Sequence, residues 1–207
     1  MMDLTTWLGS VPGSRFIPLF DSNNRLEVAT KIGQPSGRRL LRRHPEMEKA
    51  IIEIVESGLP NEAWEGLLYI MGFGQLPNFR PLYVGKAEKR GVTRPLSENL
   101  TNIRKNKHMF ARWGNGLDYH IGDLSQALFK FKGYREPTRK FERWAQRLFV
   151  SRDPPVLREP VYLYIAPWLK GNNGPSGLAG SLPAVEKEVI ALASSQFNDT
   201  LLNVDGV

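Results

Sequence analysis

The sequence predicts an α+β domain in which a small antiparallel central sheet is flanked by helices, preceded by an N-terminal extension. Three observations carry that prediction. Between Gly66 and Lys86, two short runs rich in Leu, Ile, Val and Tyr flank a segment broken by Gly72, Gly74 and Pro77, the pattern of a β-hairpin with an extended loop. Val161 to Trp168, Val-Tyr-Leu-Tyr-Ile-Ala-Pro-Trp, is the strongest strand signal of the C-terminal half. Around these, apolar residues recur at helical spacing in several segments.

Composition narrows the functional classes. A chain of 207 residues with 41% hydrophobic content suits one domain with embellishments and an ordinary core. No apolar run approaches the roughly 20 residues that a membrane-spanning helix needs, so no membrane partner is expected. Zero cysteines exclude disulfides, thiolate metal sites and cysteine nucleophiles together, and they fit an intracellular, cytoplasmic protein. Any metal must therefore be held by oxygen or imidazole. The excess of 28 Lys and Arg over 21 Asp and Glu gives a net charge of +7, which favours a polyanionic partner such as nucleic acid.

Residues 1–61 read as the N-terminal extension. Arg15 to Thr30 has the pattern of a second hairpin, with Asp-Ser-Asn-Asn as its turn and Pro18 confining its first strand to an edge. Arg38, Arg39, Arg42 and Arg43, followed by His44, form the densest basic cluster in the chain, read either as a solvated loop or as a phosphate-contacting surface. Pro45 then opens a helix whose Met47, Ala50, Ile51, Ile54 and Val55 make a core stripe, with Gly58 as its stop.

Residues 62–207 read as the main domain, with a helical insertion around 125–155. After the hairpin, a helix is expected from about Leu96 to Trp113, since Leu96, Leu100, Ile103, Phe110 and Trp113 fall on one stripe. Its other faces carry Arg104, Lys105, Lys107, His108 and Arg112, and Arg104 and His108 stand at i and i+4. Leu117 to Leu124 alternates as a strand would, with His120 as a structural or rim residue. Thr138 to Val150 carries a core stripe of Phe141, Trp144, Ala145, Leu148 and Phe149, and Glu142 there reads as a surface charge pair. Lys170 to Gly180 is a glycine-rich connection with no phosphate-loop pattern. Pro183 opens a last helix with Val185, Val189 and Leu192 inward and Glu186 to one side, and the final Asn-Asp-Thr-Leu-Leu-Asn is expected to return onto the sheet.

Leu-Leu-Tyr ending in Tyr69 and Tyr-Val-Gly opening with Tyr83 resemble the paired signature of the GIY-YIG nuclease superfamily. The first half departs from the pattern in its glycine spacing. Further matches follow in family order: Arg104 after the hairpin, then Glu186 and Asn198 on the last helix, with Lys86 and His108 as supporting positions. The resemblance spans residues 66–203 and leaves 1–61 uncovered. It implies a metal-dependent DNA endonuclease in which Tyr69, its phenolate favoured by Lys86, accepts the proton of the attacking water. Arg104 would hold phosphate oxygens, Tyr83 and His108 would orient groups or relay protons, and Glu186 would bind one Mg²⁺ or Mn²⁺ ion. Arg38, Arg39, Arg42, Arg43, Lys105, Lys107, Arg112 and Asn198 are then the expected nucleic-acid contacts. RNA as substrate, or a catalytically inactive nucleic-acid-binding protein on the same fold, are the alternatives.

Overall fold

In the computed structural model, which describes residues 3–203, the chain builds an α+β architecture around one four-stranded antiparallel sheet. Its members are β1 (Arg15–Pro18), β4 (Trp64–Phe73), β5 (Arg80–Glu88) and β8 (Val161–Leu169), in the order β1-β8-β4-β5. The long strands β4 and β8 lie in the middle and are buried along nearly their whole length. That explains their near-continuous apolar character, because a central strand covered on both faces has no solvent side to alternate with.

The two faces are covered by different helices. Leu68, Ile70, Val84, Tyr164 and Trp168 pack against α1 (Leu4–Ser10) and α5 (Leu182–Phe197). Leu67, Tyr69, Met71 and Leu163 point the other way, into a core with α2 (Pro45–Gly58), α3 (His120–Phe129) and α4 (Arg139–Leu148). Two small hairpins, β2 (Thr30–Gly33) with β3 (Arg38–Leu41) and β6 (Phe149–Arg152) with β7 (Pro155–Leu157), lie outside the main sheet. The C-terminal segment returns to β5 as expected: Leu202 N donates to Leu82 O, and the Asn203 amide bonds both backbone groups of Val84 at 2.8 and 2.9 Å.

The N-terminal residues complete the sheet. β1 pairs with β8, Phe16 opposite Tyr164 and Ile17 opposite Leu163, so the expected hairpin over Arg15–Thr30 is replaced by a long-range pairing and only an isolated Ser22–Val28 bridge remains of it. Pro18 does stand on an edge strand, where its missing N–H costs no ladder bond.

Two further expectations are corrected. Residues 96–109 form successive turns and only Phe110–Arg112 makes a single 3₁₀ turn, so there is no helix over Leu96–Trp113. Leu100, Ile103, Phe110 and Trp113 are buried nonetheless. Polar side chains capture the backbone there: Thr101 Oγ1 bonds Ser97 O, and the Asn106 amide bonds Glu98 O and Thr101 O. Asn102, Ala111 and Arg112 adopt positive φ, and such local bonding competes directly with a helical ladder. Leu117–Leu124 is not a strand either. α3 begins at His120, and Ile121, Leu124, Ala127 and Leu128 continue at helical spacing beyond the short alternating window.

The arginine cluster is folded into the structure. Arg38 donates to Asn115 O and lies over the rings of Phe131 and Tyr134. Arg39 pairs with Asp153 at 2.8 Å and Arg42 with Asp21 at 3.4 Å. The Arg43 side chain is 2% exposed and donates to Glu48 and to the carbonyl of Trp113, both at 2.6 Å. Burial pushes the Glu48 carboxyl up, but Arg43 and Lys107 together outweigh it and hold the group below the usual carboxylate range. Arg43→Met should therefore lower stability by about 2 kcal/mol, since it leaves the half-buried Glu48 carboxylate with Lys107 alone and the Trp113 carbonyl without its donor. Urea unfolding monitored by tryptophan fluorescence checks this, and an unchanged midpoint would return Arg43 to the surface-cation class.

Candidate active site

β5 is the outer strand of the sheet, so groups from both faces can reach its open side. Tyr69, on the neighbouring β4, stands directly opposite Gly85. A Cβ on Gly85 would lie 2.7 Å from the Tyr69 ring and from its hydroxyl. Only glycine at that position lets the phenol lie across the edge strand, which gives a physical reason for Tyr-Val-Gly. At the base of the same hairpin Gly66 has φ +142°, and a Cβ there would meet Ala87 O at 2.2 Å.

The Tyr69 hydroxyl lies 2.9 Å from His120 Nε2. Its ring rests edge-on against Trp113, 5.4 Å between centroids. His120, the first residue of α3, is buried among Tyr69, Tyr83, Trp113, Phe141 and Trp144. Burial first, and then the charge of Tyr83, push the Tyr69 hydroxyl well above its ordinary value. Burial, with the Lys140 and Arg112 charges behind it, holds His120 well below the ordinary imidazole value. Both groups are thus neutral at pH 7, and with the imidazole proton on Nδ1 the phenol donates to Nε2. A Tyr69 phenolate promoted by Lys86 is not what this geometry supports: Lys86 is committed elsewhere and burial disfavours the charged phenol.

Lys86 Nζ lies 2.8 Å from Glu186 on α5 and 3.5 Å from Glu88 on its own strand. Burial opposes the ammonium charge, but the Glu186 hydrogen bond and the two carboxylates raise its pKa on balance. Tyr83 lies half-buried at the end of the row, with Lys140 Nζ 3.2 Å from its hydroxyl. Arg112 closes the site from the 3₁₀ turn, its guanidinium over the Tyr119 ring at 5.5 Å. Tyr69, Tyr83, Lys86, Arg112 and Glu186 line one open cleft of about 320 Å³, with Glu88 and Asn99 at its rim.

Several sequence-predicted residues are absent from this cleft. Arg104 is exposed and pairs with Glu56 at 2.7 Å, and His108 is exposed in the same irregular segment. Both were placed by helical spacing on a helix that does not form. Lys107 is taken by Glu48 at 2.7 Å, and Lys105 is exposed without lining the cleft. Asn198 sits exposed at the C-cap of α5, while Asn203, further along, holds the edge of β5. Arg38, Arg39, Arg42 and Arg43 are engaged as described above. Glu142 pairs with Arg152 at 2.8 Å, a surface charge pair as expected.

Compared with protein-family models, curated proteins and solved structures, the chain matches none. What the cleft can do therefore follows from its own groups. His120 and Gly85 are the members that sequence reasoning passed over. Gly85 had a signal, since antiparallel register places it across from Tyr69. His120 had none, because its approach to Tyr69 is made by the fold.

A hard divalent cation suits the donor set. Glu186 and Glu88 each approach the Lys86 ammonium through Oε2, which leaves Oε1 of each for an ion beside it, and Mg²⁺ needs only one or two carboxylates because it keeps most of its waters. Among the described residues there is no group of three or more His, Asp or Glu that could hold a metal ion, so a fully protein-caged ion is not what these residues offer.

Proposed function

We propose that this cleft hydrolyses phosphodiester bonds of DNA as a divalent-metal-dependent endonuclease, on a fold of the GIY-YIG kind. The observation that carries the reading is the convergence of Tyr69, Tyr83, Lys86, Arg112 and Glu186, from three separate parts of the chain, on one cleft at the sheet edge. The residue types keep the superfamily resemblance, with Arg112 taking the place expected of Arg104 and His120 that expected of His108.

Each group has a task that its surroundings suit. Arg112 has no carboxylate partner among the described residues and can hold two phosphate oxygens with its planar fork. The attacking water gives its proton to the Tyr69 oxygen as the Tyr69 proton passes to His120 Nε2. The water oxygen bonds to phosphorus, the bond to the leaving oxygen breaks, and that oxygen takes its proton from solvent. The Nε2 lone pair of neutral His120, 2.9 Å from the hydroxyl, takes that proton only in passing, since burial and the Lys140 and Arg112 charges oppose a lasting imidazolium. Glu186, with Glu88, would hold Mg²⁺ or Mn²⁺, whose charge stabilises the leaving oxygen when bound. Tyr83 and Lys86 orient the phosphate and the Glu186 carboxylate.

The test is incubation of purified protein with supercoiled plasmid. Nicked or linear product is expected with Mg²⁺ or Mn²⁺ and none with chelator, and Glu186→Gln should need far more Mn²⁺ for any cutting. Intact plasmid under every metal condition, with DNA still bound, would replace this reading by a non-catalytic binding protein.

A further inference from the structure

A second basic cleft opens on the other side of Tyr83. Its walls are Arg139, Lys140 and Arg143 of α4 and, opposite them, Leu202 and Asn203 of the C-terminal segment. Tyr83 lines both this cleft and the candidate active site, so its phenol ring is a wall the two share.

The charges here differ in kind from those of the Arg38–Arg43 cluster. Arg39, Arg42 and Arg43 are all paired with carboxylates. Arg139 and Arg143 are exposed and have no carboxylate partner among the described residues. They stand at i and i+4, on one side of the helix, where like charges weaken it. Arg147, one further turn along, keeps its Nε buried with no acceptor. Beneath them α4 is secured by Phe141, Trp144, Ala145 and Leu148 in the core. Lys140 lies across the Tyr83, Phe141 and Trp144 rings at 4.4 to 5.3 Å, so its charge is fixed beside the shared wall. Arg139 and Arg143, unneutralised among the described residues and carried on a packed helix beside the neighbouring cleft, match a polyanionic strand whose phosphates repeat along one direction.

Resting on the reading of the neighbouring cleft as a phosphodiester site, we infer that α4 is the DNA-tracking surface of this protein. Arg139 and Arg143 bind backbone phosphates on one side of the scissile bond, and the pinned C-terminal segment walls the same strand from the opposite side. These are positioning residues: they touch phosphates away from the reacting one and set where the duplex lies.

The experiment measures binding apart from cleavage, by fluorescence anisotropy with a 30-base-pair duplex in chelator across a salt series. Arg139→Ala/Arg143→Ala should bind more weakly, with the slope of log affinity against log salt flatter by about two units. Arg25→Ala/Lys49→Ala, which removes the same charge from exposed sites elsewhere, should keep the parental slope. Thermal midpoints should stay at or above the parent for the α4 variant, because a like-charge pair is removed. A parental slope in the α4 variant overturns the inference, and so does an equal flattening in both variants, which would mean net charge alone. If the slope changes as expected yet plasmid is never cut, the surface stands and the endonuclease reading falls.

Discussion

Tyr69→Phe is expected to reduce plasmid cleavage by about 10²- to 10⁴-fold, the usual worth of a positioned proton-transfer group, while leaving DNA binding intact. The substitution removes one atom, the hydroxyl 2.9 Å from His120 Nε2, and the ring keeps its contact with Trp113. The cost in stability should be only about 1–2 kcal/mol for the lost buried hydrogen bond. Parental cutting by Tyr69→Phe would sink the proton-transfer assignment outright. His120 supplies a second, independent reading of the same pair. Its pKa in the folded protein is depressed by burial, so the folded state refuses a proton that the unfolded chain takes up near pH 6.5. The stability this leaves intact above about pH 6.5 should be lost as pH falls through that value toward the folded pKa. Chemical unfolding at pH 7.5, 6.0 and 5.0 should show that loss in the parent and a flatter profile in His120→Gln. Identical profiles would mean that His120 carries its proton in the folded protein.

The other large effect concerns the arginine. Arg112→Ala should lower cleavage by about 10²- to 10³-fold, as loss of a single preorganised donor to a developing oxyanion does. Arg112→Lys should recover little, because the planar fork and not the charge alone is required. Arg104→Ala should cut within about twofold of the parent, since exposed ion pairs contribute little and Arg104 faces Glu56 on the surface. Arg, Lys and Ala all carry a Cβ, so the positive φ of Arg112 adds no new strain in either Arg112 variant. Single-turnover rates at saturating protein separate chemistry from binding. A dead Arg104→Ala beside a normal Arg112→Ala would move the phosphate-binding arginine back to the position that helical spacing suggested.

By itself the sequence determined the elements whose signals are local. Met47, Ala50, Ile51, Ile54 and Val55 repeat at helical spacing and form the buried stripe of α2. The strands around Tyr69, Tyr83 and Val161 also lie where apolar runs placed them, because a strand buried on both faces writes its burial into every residue. Burial was legible even where the element was not: Leu100, Ile103, Phe110 and Trp113 are core residues held by turns. Hydrophobicity acts on each side chain singly, whereas the ladder of a helix can be lost to a few competing Ser, Thr and Asn bonds. Tertiary structure decided the rest. Which arginine reaches the cleft, which histidine meets Tyr69, and which cations are neutralised all depend on contacts between residues far apart in the chain, such as Tyr69 with His120 and Arg39 with Asp153. No spacing rule within one segment encodes such distances, since they are set only when β5 becomes the sheet edge and α3, α4 and α5 close around it.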